Sequence, residues 1–201
     1  GRDGEAERVL EAARRAAPGD PRILTSAGGM QLARGRPAQA AQSFREALDA
    51  FPEGFEPRIG LARSLLQAGS AAEARQSISP LLRSSRPPAA ALLVDVELLL
   101  EMGKAREARE ALGKATAAGA SGVEAGRVAG LVDLAENRVE QAVEMLQAAS
   151  REAPRSVATR LALVRALIAA RKPRQARTEL RAVLGADPEN SQGRLLLGRA
   201  F

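Results

Sequence analysis

The strongest constraint on this chain is a pattern of small and apolar residues that returns every 34 residues. Three positions of the pattern can be followed, one in a turn and two in the helix after it. They are Gly35, Gly69, Gly103 and Asn137; Ala40, Ala74, Ala108, Ala142 and Ala176; and Phe44, Ile78, Leu112, Leu146 and Leu180. A period of about 20 to 50 residues is typical of repeat proteins, so the chain is better divided into repeats than into domains.

Each repeat is predicted to hold two helices joined by the turn. In the first complete repeat, Pro21 suits the first turn of a helix, Gly35 lies in the turn, and Pro52 ends the second helix. Alanine, leucine, arginine and glutamate dominate the composition, which favours helix over strand. The sequence therefore predicts an all-α fold, an α-α superhelix (solenoid) of antiparallel helix pairs.

We expect a single array over residues 1–201. Complete repeats are predicted over 21–54, 55–88, 89–122, 123–156 and 157–190. Residues 1–20 are expected to hold the second helix of a truncated repeat, and residues 191–201 the first helix of another. Both ends would then fall inside a repeat, so we expect a segment of a longer array. Its end helices would expose apolar faces that favour head-to-tail self-association or a role as a spacer rod.

The residue types that the chain lacks exclude several kinds of site. Cysteine and histidine are both absent, which excludes disulfides, zinc sites of the usual kind, cysteine nucleophiles and histidine bases. Asp95 and Asp133 stand where apolar packing is expected, so each needs a cationic partner, for which Arg58, Arg127 and Arg160 are candidates. No nucleophile or metal ligand accompanies these carboxylates. We therefore expect no enzyme, no cofactor and no metal.

Membrane insertion is not indicated by the sequence. The most hydrophobic stretch, AALLVDVELLL, is interrupted by Asp95 and Glu97 and is shorter than the roughly 18 apolar residues of a membrane span. The first residues show no signal-peptide pattern. We expect no transmembrane segment, and the sequence leaves the compartment open between cytoplasm and periplasm.

The net charge of +6 is concentrated in one part of the chain. Residues 151–181 hold nine basic and two acidic residues, a net charge of +7, so the remainder carries about −1. This block could bind nucleic acid or an acidic partner, or it could be ordinary surface arginine, since the chain has 27 arginines and three lysines. The absence of Tyr and Trp disfavours nucleic acid. We define the basic patch as Arg160, Arg165, Arg171, Lys172, Arg174, Arg177 and Arg181.

The repeat resembles the tetratricopeptide repeat (TPR). Its second-helix motif is matched by Ala40, Phe44, Ala47 and Pro52, and its small first-helix residue by Gly28, Gly130 and Gly198. The resemblance implies a right-handed superhelix whose first helices line a concave groove that binds extended peptides or helices of a protein partner. The aromatic residues that are usual on the first helix are missing here. The lysine and asparagine clamp that some TPR cochaperones use for a terminal carboxylate is also missing.

The resemblance also implies which residues line the groove. Within that set, Leu32, Leu66, Leu100, Leu134 and Ile168 recur at the period and would form an apolar stripe suited to an amphipathic helix, unless they are buried against neighbouring helices. Arginines in the set could bind carboxylates or be paired within the chain. The predicted groove residues are Thr25, Leu32, Ile59, Arg63, Leu66, Leu93, Glu97, Leu100, Arg127, Leu131, Leu134, Leu161, Arg165 and Ile168.

The function expected from this resemblance is a non-catalytic protein-interaction scaffold. Family analogy suggests a bacterial protein in an assembly, secretion or polysaccharide-export system. The alternatives are binding of nucleic acid or an acidic partner through the basic patch, and a structural spacer or self-assembling rod.

Overall fold

The computed structural model describes residues 2–188 and 190–199, which fold into twelve α-helices and no strand. The expected all-α fold is confirmed. In chain order the helices are α1 (Arg2–Ala16), α2 (Pro21–Ala33), α3 (Pro37–Ala50), α4 (Phe55–Gln67), α5 (Ala71–Leu82), α6 (Ala89–Glu101), α7 (Ala105–Ala117), α8 (Gly122–Ala135), α9 (Val139–Glu152), α10 (Val157–Ala169), α11 (Pro173–Ala186) and α12 (Ser191–Arg199). No helix in these two ranges combines the length and the apolarity that crossing a membrane requires.

The turn between the two helices of each repeat has a left-handed backbone. The φ angles are 72° at Gly35, 84° at Gly69, 71° at Gly103, 61° at Asn137 and 54° at Arg171. Glycine and asparagine adopt this conformation readily, whereas an arginine pays about 1 kcal/mol for the crowding of its Cβ. Glycine or asparagine thus recurs at most of these turns because the backbone there is left-handed.

The chain divides into two compact units. Unit 1 contains the described residues up to Leu32 and Arg36–Ser84, and unit 2 contains Ala33–Gly35 and the described residues from Ser85 onward.

In unit 1 the core is organised around Phe44 of α3, which is 3% exposed. Its ring lies against Gly28 of α2 and Gly60 of α4, where any side chain would collide with it. A methyl group at Gly28 would come within 2.8 Å of the ring, and one at Gly60 would come closer still. One aromatic side chain therefore joins the two helices of its own repeat to the first helix of the next.

In unit 2 the first helices α6, α8, α10 and α12 contact one another in order, more extensively than the second helices α7, α9 and α11 do. The first helices therefore form the closely packed inner layer of unit 2, and the second helices lie further apart on its outside. Leu146 of α9 packs against Gly130 of α8, where a methyl group would lie 2.6 Å from its Cγ. At Gly198 an added methyl group would meet no described atom within 4 Å.

Candidate partner-binding surfaces

In unit 1, four of the five predicted groove residues keep part of their surface accessible. Thr25, Leu32, Arg63 and Leu66 are half-buried, whereas Ile59 is 5% exposed. The Thr25 hydroxyl donates a hydrogen bond of 2.6 Å to the Pro21 carbonyl, so its hydrogen is used within α2. The accessible side chains of this set thus include two leucines, Leu32 and Leu66.

In unit 2, the aliphatic residues of the predicted groove divide into buried and half-buried side chains. Leu93 and Leu161 are 3% and 5% exposed and belong to the core. The half-buried ones are Leu100, Leu131, Leu134 and Ile168, which pack against core clusters with one side and remain accessible on the other.

Arg127 and Glu97, also predicted in the groove, are paired with each other inside the inner layer. Arg127 of α8 is 5% exposed, and its Nη2 lies 2.8 Å from Oε1 of Glu97 on α6 and 2.6 Å from Oε1 of Glu124. Burial alone would lower the pKa of Arg127, but the two carboxylates outweigh it and raise that pKa. Because its guanidinium is already engaged, Arg127 joins two first helices and does not present a free cation.

Asp133 of α8 lies in a second ion-pair cluster and retains 12% of its side-chain exposure. Its Oδ1 accepts a hydrogen bond of 3.1 Å from Nε of Arg138, and it also pairs with Nη2 of Arg109 on α7. Arg109 Nε in turn donates to Glu136 at 3.1 Å. Burial raises the pKa of Asp133, with Glu136 acting in the same direction and Arg109 opposing it.

This cluster corrects the expected partners of Asp133. Asp133 is paired with Arg109 and Arg138, whereas Arg160 pairs with Glu179 of α11 and Arg58 donates to the Pro52 carbonyl at 2.5 Å. For Asp133 the expectation was wrong, because long arginine side chains reach along or across helices to other acceptors.

The basic patch differs from these clusters in its exposure. Five members are exposed, and their side chains form no ion pair or hydrogen bond within the described part of the chain; they are Arg165, Arg171, Lys172, Arg174 and Arg181. Arg160 is neutralised by Glu179, and Arg177 is half-buried. The positive charge is therefore concentrated at the turn between α10 and α11 and on exposed positions of those two helices.

Two clefts were not anticipated from the sequence. In unit 1 a cleft of about 420 Å³ is flanked by Phe51 and Phe55, which are 53% and 48% exposed. In unit 2 a cleft of about 620 Å³ lies between α9 and α11, with side chains of α10 in its lining. A sequence signal for the second is the pair Gln147 and Gln175, polar residues on two second helices. Within the described residues, no group of acidic side chains is arranged to hold a metal ion.

Comparison with known proteins agrees with this helical architecture. Two family models, both described as "Tetratricopeptide repeat", match the sequence. One matches residues 31–96 and 133–200, and the other matches residues 1–55 and 96–157. No protein of curated function matches it.

Similar solved structures include a thermophilic TPR protein of Thermus thermophilus, with a TM-score of 0.64, 19% identity, and coverage of 90% of this chain and 98% of that one. The APC/C hetero-tetramer Cut9–Hcn1 gives a TM-score of 0.61 at 16% identity, covering 99% of this chain and 46% of that chain. A TPR protein of Parabacteroides merdae gives 0.57 at 18% identity, covering 98% and 78%. At these identities the likeness shows the fold.

Proposed function

The chain belongs to the tetratricopeptide repeat family, and from that premise we propose that it is a non-catalytic scaffold that binds a peptide or helix of a protein partner. The binding surface is the inner layer of first helices, and the setting is a bacterial assembly, secretion or polysaccharide-export system. Proteins of this family generally act as scaffolds for protein partners.

The observation that carries the proposal is an accessible apolar stripe in unit 2. Leu100, Leu134 and Ile168 lie on α6, α8 and α10, at the same position of successive repeats, and each is half-buried. Packed helices lie about 8 to 10 Å apart. An amphipathic helix repeats its apolar face every seven residues, about 10.5 Å along its axis. Side chains spaced by seven residues on a partner helix would therefore match successive members of the stripe.

The test compares inner-layer and outer-layer substitutions of similar chemistry. Leu134→Glu combined with Ile168→Glu places two charges on the stripe, whereas Met145→Glu changes a residue of α9 that is 41% exposed. A partner captured from the lysate of the source cell should be lost with the first variant and retained with the second. Circular dichroism checks that both remain helical.

Arg165→Glu provides a version of the test that leaves the core untouched, because Arg165 is exposed on α10 in the predicted groove. We expect it to weaken capture of the same partner. Undiminished capture by both inner-layer variants would contradict binding at this surface.

A second candidate function is recruitment of an acidic partner by the basic patch, supported by its five exposed and unpaired cations. Unit 2 offers no aromatic side chain among its described residues for base stacking, so an acidic protein is favoured over nucleic acid. We expect Arg174→Glu with Arg181→Glu to abolish binding of a polyglutamate peptide, and Arg75→Glu on α5 to leave it intact. Tighter binding of an oligothymidylate than of polyglutamate would favour nucleic acid instead.

Head-to-tail self-association or a spacer role is a third candidate, supported by exposed apolar side chains on α1 and α12. Val9 of α1 is 64% exposed and Leu195 of α12 is 58% exposed. Light scattering should show a mass that rises with concentration, and Leu195→Glu should suppress the increase. A strict monomer at high concentration would contradict self-association.

A further inference from the structure

The cleft of unit 2 between α9 and α11 has polar walls and an apolar lining from α10. Leu163 and Leu167 of α10 line it and are 3% and 1% exposed. Its volume of about 620 Å³ falls within the range of about 300 to 1,000 Å³ that is usual for ligand sites. The lining residues from the second helices are Gln147, Ser150, Arg151, Gln175, Thr178 and Glu179. Its chemistry is therefore different from that of the apolar stripe.

Ser150 gives the α9 wall of the cleft a hydroxyl group that is open to a polar ligand. Ser150 is 8% exposed and lines the cleft, and its hydroxyl forms no hydrogen bond within the described residues. A hydroxyl both donates and accepts hydrogen bonds, so a polar ligand in the cleft would find a partner there.

The two glutamines define what kind of ligand fits. Gln147 and Gln175 line the cleft from opposite helices, and neither side chain is hydrogen-bonded within the described ranges. A primary amide both donates and accepts, which is the hydrogen-bonding pattern of a peptide backbone. An extended polypeptide is therefore the complementary ligand.

The charges that line the cleft select an acidic segment. Arg160 is neutralised by Glu179, whereas Arg151 is exposed and unpaired in the described structure. The lining thus carries one excess positive charge. From Gln147 to Arg151 the helix rises about 6 Å, the length of two extended residues. A carboxylate close to the bound backbone segment would meet the guanidinium.

We propose that this cleft binds an extended segment of a partner polypeptide, with Gln147 and Gln175 holding its backbone and Arg151 pairing with an Asp or Glu side chain. The positions that form the α9 wall hold different chemistry one repeat earlier. Gly113, Thr116 and Ala117 stand for Gln147, Ser150 and Arg151, and the Thr116 hydroxyl is already bonded to the Leu112 carbonyl. The α9 wall of the site is thus not reproduced one repeat earlier, and the cleft is separate from the groove of the proposed function.

The experiment uses a displayed library of random decapeptides, selected against the full chain. We expect the selected peptides to be enriched in Asp or Glu. Gln147→Ala with Gln175→Ala should lower the affinity for a selected synthetic peptide at least about 10-fold, because two hydrogen bonds to the peptide are lost. Fluorescence anisotropy measures this affinity. Gln141→Ala, which stands at the position of Gln175 one repeat earlier and is exposed, is the matched control and should have no effect.

Two further measurements test which residue of the peptide pairs with Arg151 and which surface of the chain the peptide binds. Replacing the acidic residue of the peptide by Gln should weaken binding to the wild type and leave binding to Arg151→Ala unchanged. Leu134→Glu with Ile168→Glu should not affect this peptide, so failure of the groove proposal is distinguishable from failure here. Selected peptides without acidic enrichment, or peptides insensitive to the double glutamine variant, would overturn the proposal. Displacement of the peptide by an oligonucleotide that binds more tightly would also overturn it.

Discussion

Replacing Gly28 by alanine tests whether Phe44 sets the distance between helices in unit 1. The added methyl group would lie 2.8 to 2.9 Å from three atoms of the ring, whereas carbon atoms in contact prefer about 3.5 to 4.0 Å. The ring or the helix must therefore move by most of an ångström, and such overpacking costs about 1 to 3 kcal/mol. Alanine would also gain about 1 kcal/mol of helix propensity over glycine.

Gly29 is the matched control because it lies next to Gly28 in α2 and an added methyl group meets nothing within 4 Å. Gly29→Ala should gain helix propensity without any clash and should therefore stabilise the fold by about 1 kcal/mol. Gly28→Ala should therefore be less stable than Gly29→Ala by about 1 to 3 kcal/mol. For a chain of this size, that difference corresponds to roughly 2 to 12 °C in Tm.

Urea unfolding followed by circular dichroism at 222 nm measures both variants under the same conditions. Adding Phe44→Leu to each of them completes the comparison, because a smaller side chain leaves room for the methyl group. Phe44→Leu should reduce the difference between the two alanine variants. Equal midpoints for Gly28→Ala and Gly29→Ala, with Phe44 intact, would refute the conclusion that the ring occupies the space beside Gly28.

Three other substitutions test the charged clusters and the turn. Arg127→Met should lower the free energy of unfolding by about 3 to 5 kcal/mol because it leaves Glu97 without its cation. Adding Glu97→Gln should recover most of this loss in urea unfolding, and full stability of Arg127→Met would contradict the buried pairing. Arg171→Gly should raise stability by about 1 kcal/mol, since its φ of 54° suits glycine, and an unchanged or lower Tm would argue against strain there. The raised pKa of Asp133 means that its protonation adds stability, which is lost as pH rises through the folded-state pKa. The wild type should therefore gain stability relative to Asp133→Asn as pH falls from neutral toward 3.8, the ordinary pKa of an aspartate. A difference in unfolding free energy between the two proteins that stays constant over that pH range would contradict this.

The features that sequence reasoning predicted are those that every repeat shares. The turn at Gly35 recurs with a left-handed backbone as far as Arg171 because each helix pair must reverse direction in the same number of residues. Gly28 and Gly130 were expected to allow close packing, and they do so against Phe44 and Leu146, which are themselves three repeats apart.

The features that sequence reasoning missed depend on side-chain reach and on spacing between helices. Asp133 pairs with Arg109 and Arg138 because these side chains extend to it from the preceding second helix and the following turn. Spacing along the sequence does not encode such a choice among several nearby arginines. The cleft between α9 and α11 depends on how far apart two second helices lie, a distance that the packing of other residues determines.

The contact of Phe44 with Gly60 bears on how such a chain can be rearranged by evolution or by design. The repeat that carries Phe44 must be followed by one with glycine at the position of Gly60, because even a methyl group there would collide with the ring. Two and three repeats further on, the same position holds Val128 and Ala162. Repeats of identical length are therefore not interchangeable modules, and a shuffled array would have to preserve this pair of neighbours or replace the phenylalanine.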